Sequence, residues 1–351
     1  MNARGGIVMT GLAAVTPVGH SASESCAAIR ARMSAFGEVP FLLTTRDPEW
    51  DPQELLRGAS VPDLSSAQPP ERLSELALVV LRQLVDQSRL LRAELSRCAL
   101  LLALPEPDAV VQRWRLADDF AAALCARAGL PKFGITRAHA GRAAALTLVG
   151  EAQSLFANAE AEACLVLAVD SYLGFERLKL LDAEYRIRSD RNKDGFIPGE
   201  AAVALLLEPS QGARRRPVRC TLSPPSVAAE PHSQRTELSS TGRGLQLAIE
   251  GALGDRTASW VLCDLNGESY RSFEWATVRT RMATSFAGLR QLVHPADCVG
   301  DVGSATGGVL LACVSEAFAR GYAPAPHALL WASSEDGTRA SLLASGPPQP
   351  A

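Results

Sequence analysis

Short apolar runs alternate with amphipathic stretches from one end of this 351-residue chain to the other, and that alternation constrains its fold more than any other feature. Apolar runs at 6–12, 98–104, 164–169, 201–207, 218–222, 260–264, 328–332 and 340–344 predict strands. Stretches with helical spacing at 21–33, 70–85, 110–128, 143–159, 242–253, 272–286 and 308–320 predict helices. Strands that read as unbroken apolar runs predict an α/β chain, mostly parallel in its pairing and buried under helices. The link EPSQGARRRP at 208–217, rich in Pro, Gly and Arg, predicts a division into two similar α/β halves, 1–208 and 209–351. The halves show no obvious sequence repeat. Residues 35–70 are Pro-rich and irregular and predict surface loop, and the tail GPPQPA at 346–351 predicts a frayed end.

With 47% hydrophobic and 21% charged residues, the chain is long enough to bury a large core. A formal net charge of -3 lacks the basic excess of a general nucleic-acid binder. The one basic cluster, Arg214, Arg215, Arg216 and Arg219, reads as a solvated loop. The N-terminus MNARGGIVMTGLAAVTPVG has the outline of a secretory signal, but Thr10, Gly11 and Thr16-Pro17 interrupt it, and it predicts a strand and turn. No stretch reaches the roughly 20 apolar residues that span a bilayer. The cysteines at 26, 98, 125, 164, 220, 263, 298 and 313 include no Cys-x-x-Cys pair. Several lie inside apolar runs and read as small buried hydrophobes in a reducing compartment. A cytoplasmic protein with no membrane or nucleic-acid partner is expected.

The histidines at 20, 139, 232, 294 and 327 show no metal-ligand spacing, so no metal is expected. The alternating charges of 190–194 faintly resemble a calcium loop but lack its further glutamate. No phosphate-binding Gly-rich loop is present, and no cofactor is expected. The run Gly303-Ser304-Ala305-Thr306-Gly307-Gly308 opens a predicted helix, a place where an anion can bind.

Four segments carry a family resemblance. They are IVMTGLAAVTPVGHSASESCAAIRA at 7–31, RSDRNKDGFIPGEAAVALLLEP at 188–209, ASWVLCDLNGESY at 258–270 and CVGDVGSATGGVLLACVSEAFARGYAP at 298–324. Each resembles a stretch of the β-ketoacyl synthase branch of the thiolase-like superfamily, and with the element order the resemblance covers essentially the whole chain. It implies a thiolase-like fold in which two similar α/β halves form a layered αβαβα core. It also exposes departures. Such synthases use a cysteine thiolate to take an acyl group from a thioester, and two histidines assist. Here the cysteine position falls at or beside Arg142, and 138–146 holds only Ala, His, Gly, Arg and Leu. Asn266 and Asp301 stand at the two histidine positions, and the family's lysine falls near Ala296. The Gly-Phe-Gly-Gly turn of the family appears as Ser333-Ser334-Glu335-Asp336-Gly337. Losing one member of a nucleophile–base unit costs on the order of a million-fold in rate, so condensation by the usual route is not expected.

The resemblance implies that His139, Arg142, Asn266, Glu268, Asp301 and Glu335 converge on one pocket, with Ser304, Glu335 and Asp336 as ligand-contact candidates. A buried carboxylate there needs a cationic partner, and Arg142 is the obvious one. Two readings of such a pocket stand: a self-satisfied polar plug, or a polar ligand or acid/base site. The functional expectation is a catalytically inactive ketosynthase-like protein. It would act as a binding, partner or accessory chaperone-like subunit, in a fatty-acid or polyketide setting or beside type VI secretion effectors. The alternative is an acyltransferase or decarboxylase without a cysteine, using Asp301 or His139 as base and Asn266 as oxyanion donor. Expected partners are a second copy or a related thiolase-like subunit, met near 132–136, and an effector or acyl-carrier protein.

Overall fold

The computed structural model describes residues 6–44, 53–66, 68–114, 116–211, 216–236 and 238–347. Residues 212–215 of the link at 208–217, with Arg214 and Arg215, and most of the tail therefore lie outside the described residues. Strands β1 (Ile7–Val15), β2 (Gly37–Leu42), β3 (Leu55–Gly58), β4 (Cys98–Leu104), β5 (Ile135–Ala140), β6 (Ala163–Ser171) and β7 (Glu200–Pro209) come first. They are followed by β8 (Cys220–Leu222), β9 (Ser226–Ala229), β10 (Trp260–Cys263), β11 (Gln291–Val293), β12 (His327–Ser333) and β13 (Thr338–Ser345).

All but β2 and β3 join one sheet in the order β11-β10-β12-β13-β8-β1-β7-β6-β4-β5, with β9 beside β13. Within the first half, the chain's first to fifth strands of this sheet lie in the order third, second, fourth, fifth, first. The second half, leaving β9 aside, repeats that order. Pairing repeats as well. β5, β4 and β6 are parallel, then β7 and β1 run antiparallel; β11, β10 and β12 are parallel, then β13 and β8 run antiparallel. The two sets join through β1 and β8. An internal repeat that the sequence hides is thus plain in the topology.

The expectation of mostly parallel pairing is corrected: this sheet has four parallel and six antiparallel ladders. An unbroken apolar run reports burial on both faces of a strand, not the direction of its neighbour. β4 shows this directly. Its Ala99, Leu101 and Ala103 pack into a central core, while Cys98, Leu100, Leu102 and Leu104 pack into an outer one. Both faces are apolar because both are covered.

Three cores account for the layers. The helices Ala144–Ala157 and Thr306–Ala319 share the central core, meeting strands of both halves. The helices Glu71–Gln87 and Leu116–Ala128 cover the other face of the first-half strands. Arg243–Leu253 and Ser269–Arg281 cover the second-half strands. The result is a five-layer αβαβα arrangement.

Three further expectations are corrected. Residues 35–70 contain a two-stranded antiparallel pair, β2 with β3, which buries only Phe41, Leu56 and Gly58 and so carries a weak sequence pattern. The helix expected over 110–128 is divided into Val111–Trp114 and Leu116–Ala128. A helix at Phe175–Ala183 has no long apolar stripe and went unpredicted. All eight cysteines are free and buried. Among the described residues, no helix is long and apolar enough to cross a membrane.

Candidate functional site

The parallel strands β4, β5, β6, β10 and β12 deliver their C-terminal ends to one region, which is where sheets of this kind place their chemistry. Glu106 follows β4, Arg142 follows β5, Tyr172 follows β6, Asp264 through Glu268 follow β10, and Glu335 follows β12. Gly141 makes the turn that presents Arg142: its φ is +90°, and a Cβ there would lie 2.4 Å from Ser334 Oγ and 2.5 Å from Glu106 Oε1. Only glycine fits that close approach. Arg142 then sits just before the helix Ala144–Ala157. Asp301 is fixed from the other side by the segment resembling the synthase motif, through Gly199 N to Asp301 O at 2.9 Å and Asp301 N to Ile197 O at 2.8 Å.

The side chains form a closed ionic network. Arg142 is buried and donates from Nη2 to Asp301 Oδ2 at 2.7 Å and from Nε to both carboxylate oxygens at 3.1 and 3.2 Å. It also donates to Tyr172 Oη at 2.9 Å and to Glu335 Oε1 at 3.1 Å. Asn266 Nδ2 donates to Asp301 Oδ2 at 2.6 Å and to Glu268 Oε2 at 2.9 Å. Glu268 takes further bonds from Arg186 at 3.0 Å, Arg271 at 3.4 Å and Gln234 at 2.7 Å. Arg186 also reaches Glu335 at 2.8 Å, and Arg271 reaches Asp264 at 2.8 Å.

Arg142, Asn266, Glu268, Asp301 and Glu335 are therefore brought together. His139 is not: it is exposed on β5, three residues before Arg142. Its side chain is exposed on the edge strand, whereas Arg142 lies buried beyond the Gly141 turn, and that difference removes it from the network. Ser304 is buried but spends its hydroxyl on Val169 O at 2.9 Å and Ala103 O at 3.3 Å. Asp336 is exposed and caps its own turn by accepting from Thr338 N at 2.8 Å. Sequence reasoning missed Glu106, Tyr172, Arg186, Gln234 and Arg271. Only Arg271 carried a local signal, standing three residues after Glu268 on one helical face.

Electrostatics explain why the network holds its charges. Burial opposes ionisation of Asp301, but the Arg142 guanidinium overrides it and holds the carboxyl below its ordinary range. Glu335 is likewise held well below the usual carboxylate range against its burial, first by Arg186 and then by Arg142. Glu106 goes the other way. Burial, reinforced by the charge of Glu335, pushes it up to about 7. Its Oε1 accepts from Glu335 N at 2.7 Å, while its Oε2 has no hydrogen-bond partner and lies 3.9 Å from Arg142 Nη1.

These facts limit the chemistry. Arginine is always protonated and is no nucleophile. Asp301 is ionised with both oxygens occupied, Oδ1 also taking Gly303 N at 2.9 Å, so it is a weak base. Asn266 commits its amide N–H groups to two carboxylates, which leaves no donor for an oxyanion. The thiol nearest in sequence, Cys263, is buried in β10, and burial raises its pKa well above the ordinary value. The space beside Asn266 and Asp301 is about 10 Å³, room for one water at most. Among the described residues, no group of three or more His, Cys, Asp or Glu side chains is placed to hold a metal ion. Asp194, from the charged run at 190–194, instead caps the helix Ser269–Arg281 by accepting from Ser269 N at 2.6 Å.

Comparison with solved structures places the chain in a known fold. The oxazolomycin ketosynthase domain from Streptomyces albus superposes with a TM-score of 0.80 at 16% identity, covering 99% of this chain and 75% of that one. The ishigamide ketosynthase/chain length factor gives 0.78 at 16% identity, covering 98% and 100%. A type II polyketide ketosynthase in complex with its acyl-carrier protein gives 0.76 at 15% identity, covering 97% and 99%. No protein-family model and no curated protein sequence matches the chain. At this identity the likeness establishes the thiolase-like ketosynthase fold.

Proposed function

We propose that this ketosynthase-fold chain is a catalytically silent subunit that works by binding a partner. The observation that carries the reading is the buried Arg142–Asp301 pair; on this reading it is a charge-satisfied plug in the nucleophile's place. A second observation supports a meeting place for that partner. Among the described residues, strand β5 ends the sheet, pairs only with β4, and is exposed along most of its length. An unpaired edge of this kind is a template for another strand. A second copy or a related thiolase-like subunit pairing there would continue the sheet across the interface, next to Arg142.

We place the chain in the partner-subunit role of a fatty-acid or polyketide assembly rather than in a secretion-cluster accessory role. One of its structural neighbours is a ketosynthase/chain length factor, and another is a ketosynthase seen with an acyl-carrier protein. An acyl-carrier protein is accordingly the second expected partner, and the cytoplasm, where buried thiols stay reduced, the expected compartment. The enzymatic alternative, with Asp301 as base and Asn266 as oxyanion donor, asks two committed groups to leave their ionic partners. The test is light scattering of the purified chain, alone and with candidate thiolase-like subunits, beside a malonyl-thioester decarboxylation assay. The reading expects a dimer or a defined heterodimer and no turnover. A monomer that decarboxylates malonyl thioester contradicts it.

A further inference from the structure

A second cavity, of about 590 Å³, lies between β10, β11 and the helices Ala22–Arg30 and Thr306–Ala319. It shares no residue with the Arg142 network. Its volume is in the range that ligand sites occupy. The buried Ile29, Trp260, Leu262 and Ala317 give it apolar walls. Three thiols, Cys26, Cys298 and Cys313, line it as well. A hydrogen bond in which the Cys26 thiol donates to Cys313, together with burial, pushes Cys26 well above the ordinary thiol range, and burial raises Cys298. Both are neutral at physiological pH and act as soft apolar surface.

The rim differs in character. Arg30 and Arg32 line it, both exposed, and among the described residues neither has a carboxylate within ion-pair distance. Arg30 is steadied by stacking its guanidinium 4.2 Å above the Tyr322 ring. Arg32 adopts φ +56° at the turn that ends the helix, a position where glycine is the usual residue. The one opposing carboxylate on the lining is Asp297, engaged by His294 at 3.0 Å. Two guanidinium groups against one carboxylate leave a single positive charge in excess.

We propose that this cavity binds an amphipathic monocarboxylate, with its apolar body between Trp260 and the thiols and its carboxylate on Arg30 and Arg32. Guanidinium groups match a carboxylate in geometry as well as charge. A single excess charge suits a monoanion better than a phosphate dianion.

The test uses decanoate as probe on the full chain, followed by calorimetry and tryptophan fluorescence. Saturable one-site binding is expected. The Arg30→Gln/Arg32→Gln variant should bind about tenfold or more weakly. Both side chains are exposed, so this variant keeps its fold, which circular dichroism checks. Decyltrimethylammonium, with the same apolar body and the opposite charge, should bind at least about tenfold more weakly than decanoate. Trp260→Phe should remove the fluorescence change while the heat of binding persists. Equal binding of the two probes, unchanged affinity in the double arginine variant, a fluorescence change that survives Trp260→Phe, or no saturation up to about 1 mM decanoate each overturns the proposal.

Discussion

Nη2 of Arg142 lies 2.7 Å from Oδ2 of Asp301, and the two side chains are 1% and 2% exposed. Two charges so far from water survive because each is enclosed by further partners: Tyr172 and Glu335 on the arginine, Asn266 and Gly303 N on the aspartate. The pair satisfies itself, and in the proposed reading it takes the place of a reactive thiol.

Arg142→Ala should therefore destabilise the fold strongly. It strands Asp301 and weakens the hold on Glu335 and Glu106, and breaking a buried pair in this way costs about 3–5 kcal/mol. Denaturant unfolding measures it. Pairing the change with Asp301→Asn should return about 0.5–3 kcal/mol as a coupling term in a double-mutant cycle. Strictly additive losses would show that the contact is incidental.

Gly141→Ala should be costly although only a methyl group is added. The residue sits at φ +90°, and the new Cβ would meet Ser334 and Glu106 at 2.4–2.5 Å. We expect a loss of about 1–3 kcal/mol, read from the unfolding midpoint. A neutral substitution would mean that the Arg142 turn is not held by this contact.

Glu106 predicts a pH dependence. Its folded pKa of about 7 lies above its ordinary 4.5, so the native state binds this proton more tightly than the unfolded state. Stability from this group is therefore greatest below about pH 4.5 and is lost as pH rises towards 7. Asp301 and Glu335 act in the opposite sense, and their contribution fades only as acid protonates them. Relative to Glu106→Gln, the parent protein should lose about 1–3 kcal/mol between pH 4.5 and 7.5. Parallel stability–pH curves for the two proteins would contradict this assignment.

Strand β5 predicts the assembly. A proline removes an N–H from an edge, and adjacent residues of a strand point their N–H groups to opposite sides. One of Arg137→Pro and Ala138→Pro should abolish association in light scattering. Association unchanged in both variants would move the interface elsewhere.

Parts of this were legible from the residues. The run at 98–104 forms β4 over the same residues, because a central strand covered on both faces writes its burial into every position. The edge strand β5 is exposed along most of its length, so its residues IleThrArgAlaHisAla carry no apolar signal. Arg142 and Asp301 could be set side by side only through resemblance to a known motif, being 159 residues apart. Arg186 and Glu106 were invisible because nothing local marks them. Their role exists only once the strand ends of two halves converge. The resemblance put His139 in the pocket, but it stays exposed on the edge strand while the Gly141 turn carries Arg142 inward.

The most direct test of the silent site is intact-protein mass spectrometry after incubation with acyl and malonyl thioesters, both CoA-linked and carried by an acyl-carrier protein. On the proposed reading, in which Arg142 takes the nucleophile's place, and with all eight thiols buried, the chain should keep its unmodified mass. A stoichiometric acyl adduct mapped to any cysteine would contradict that account.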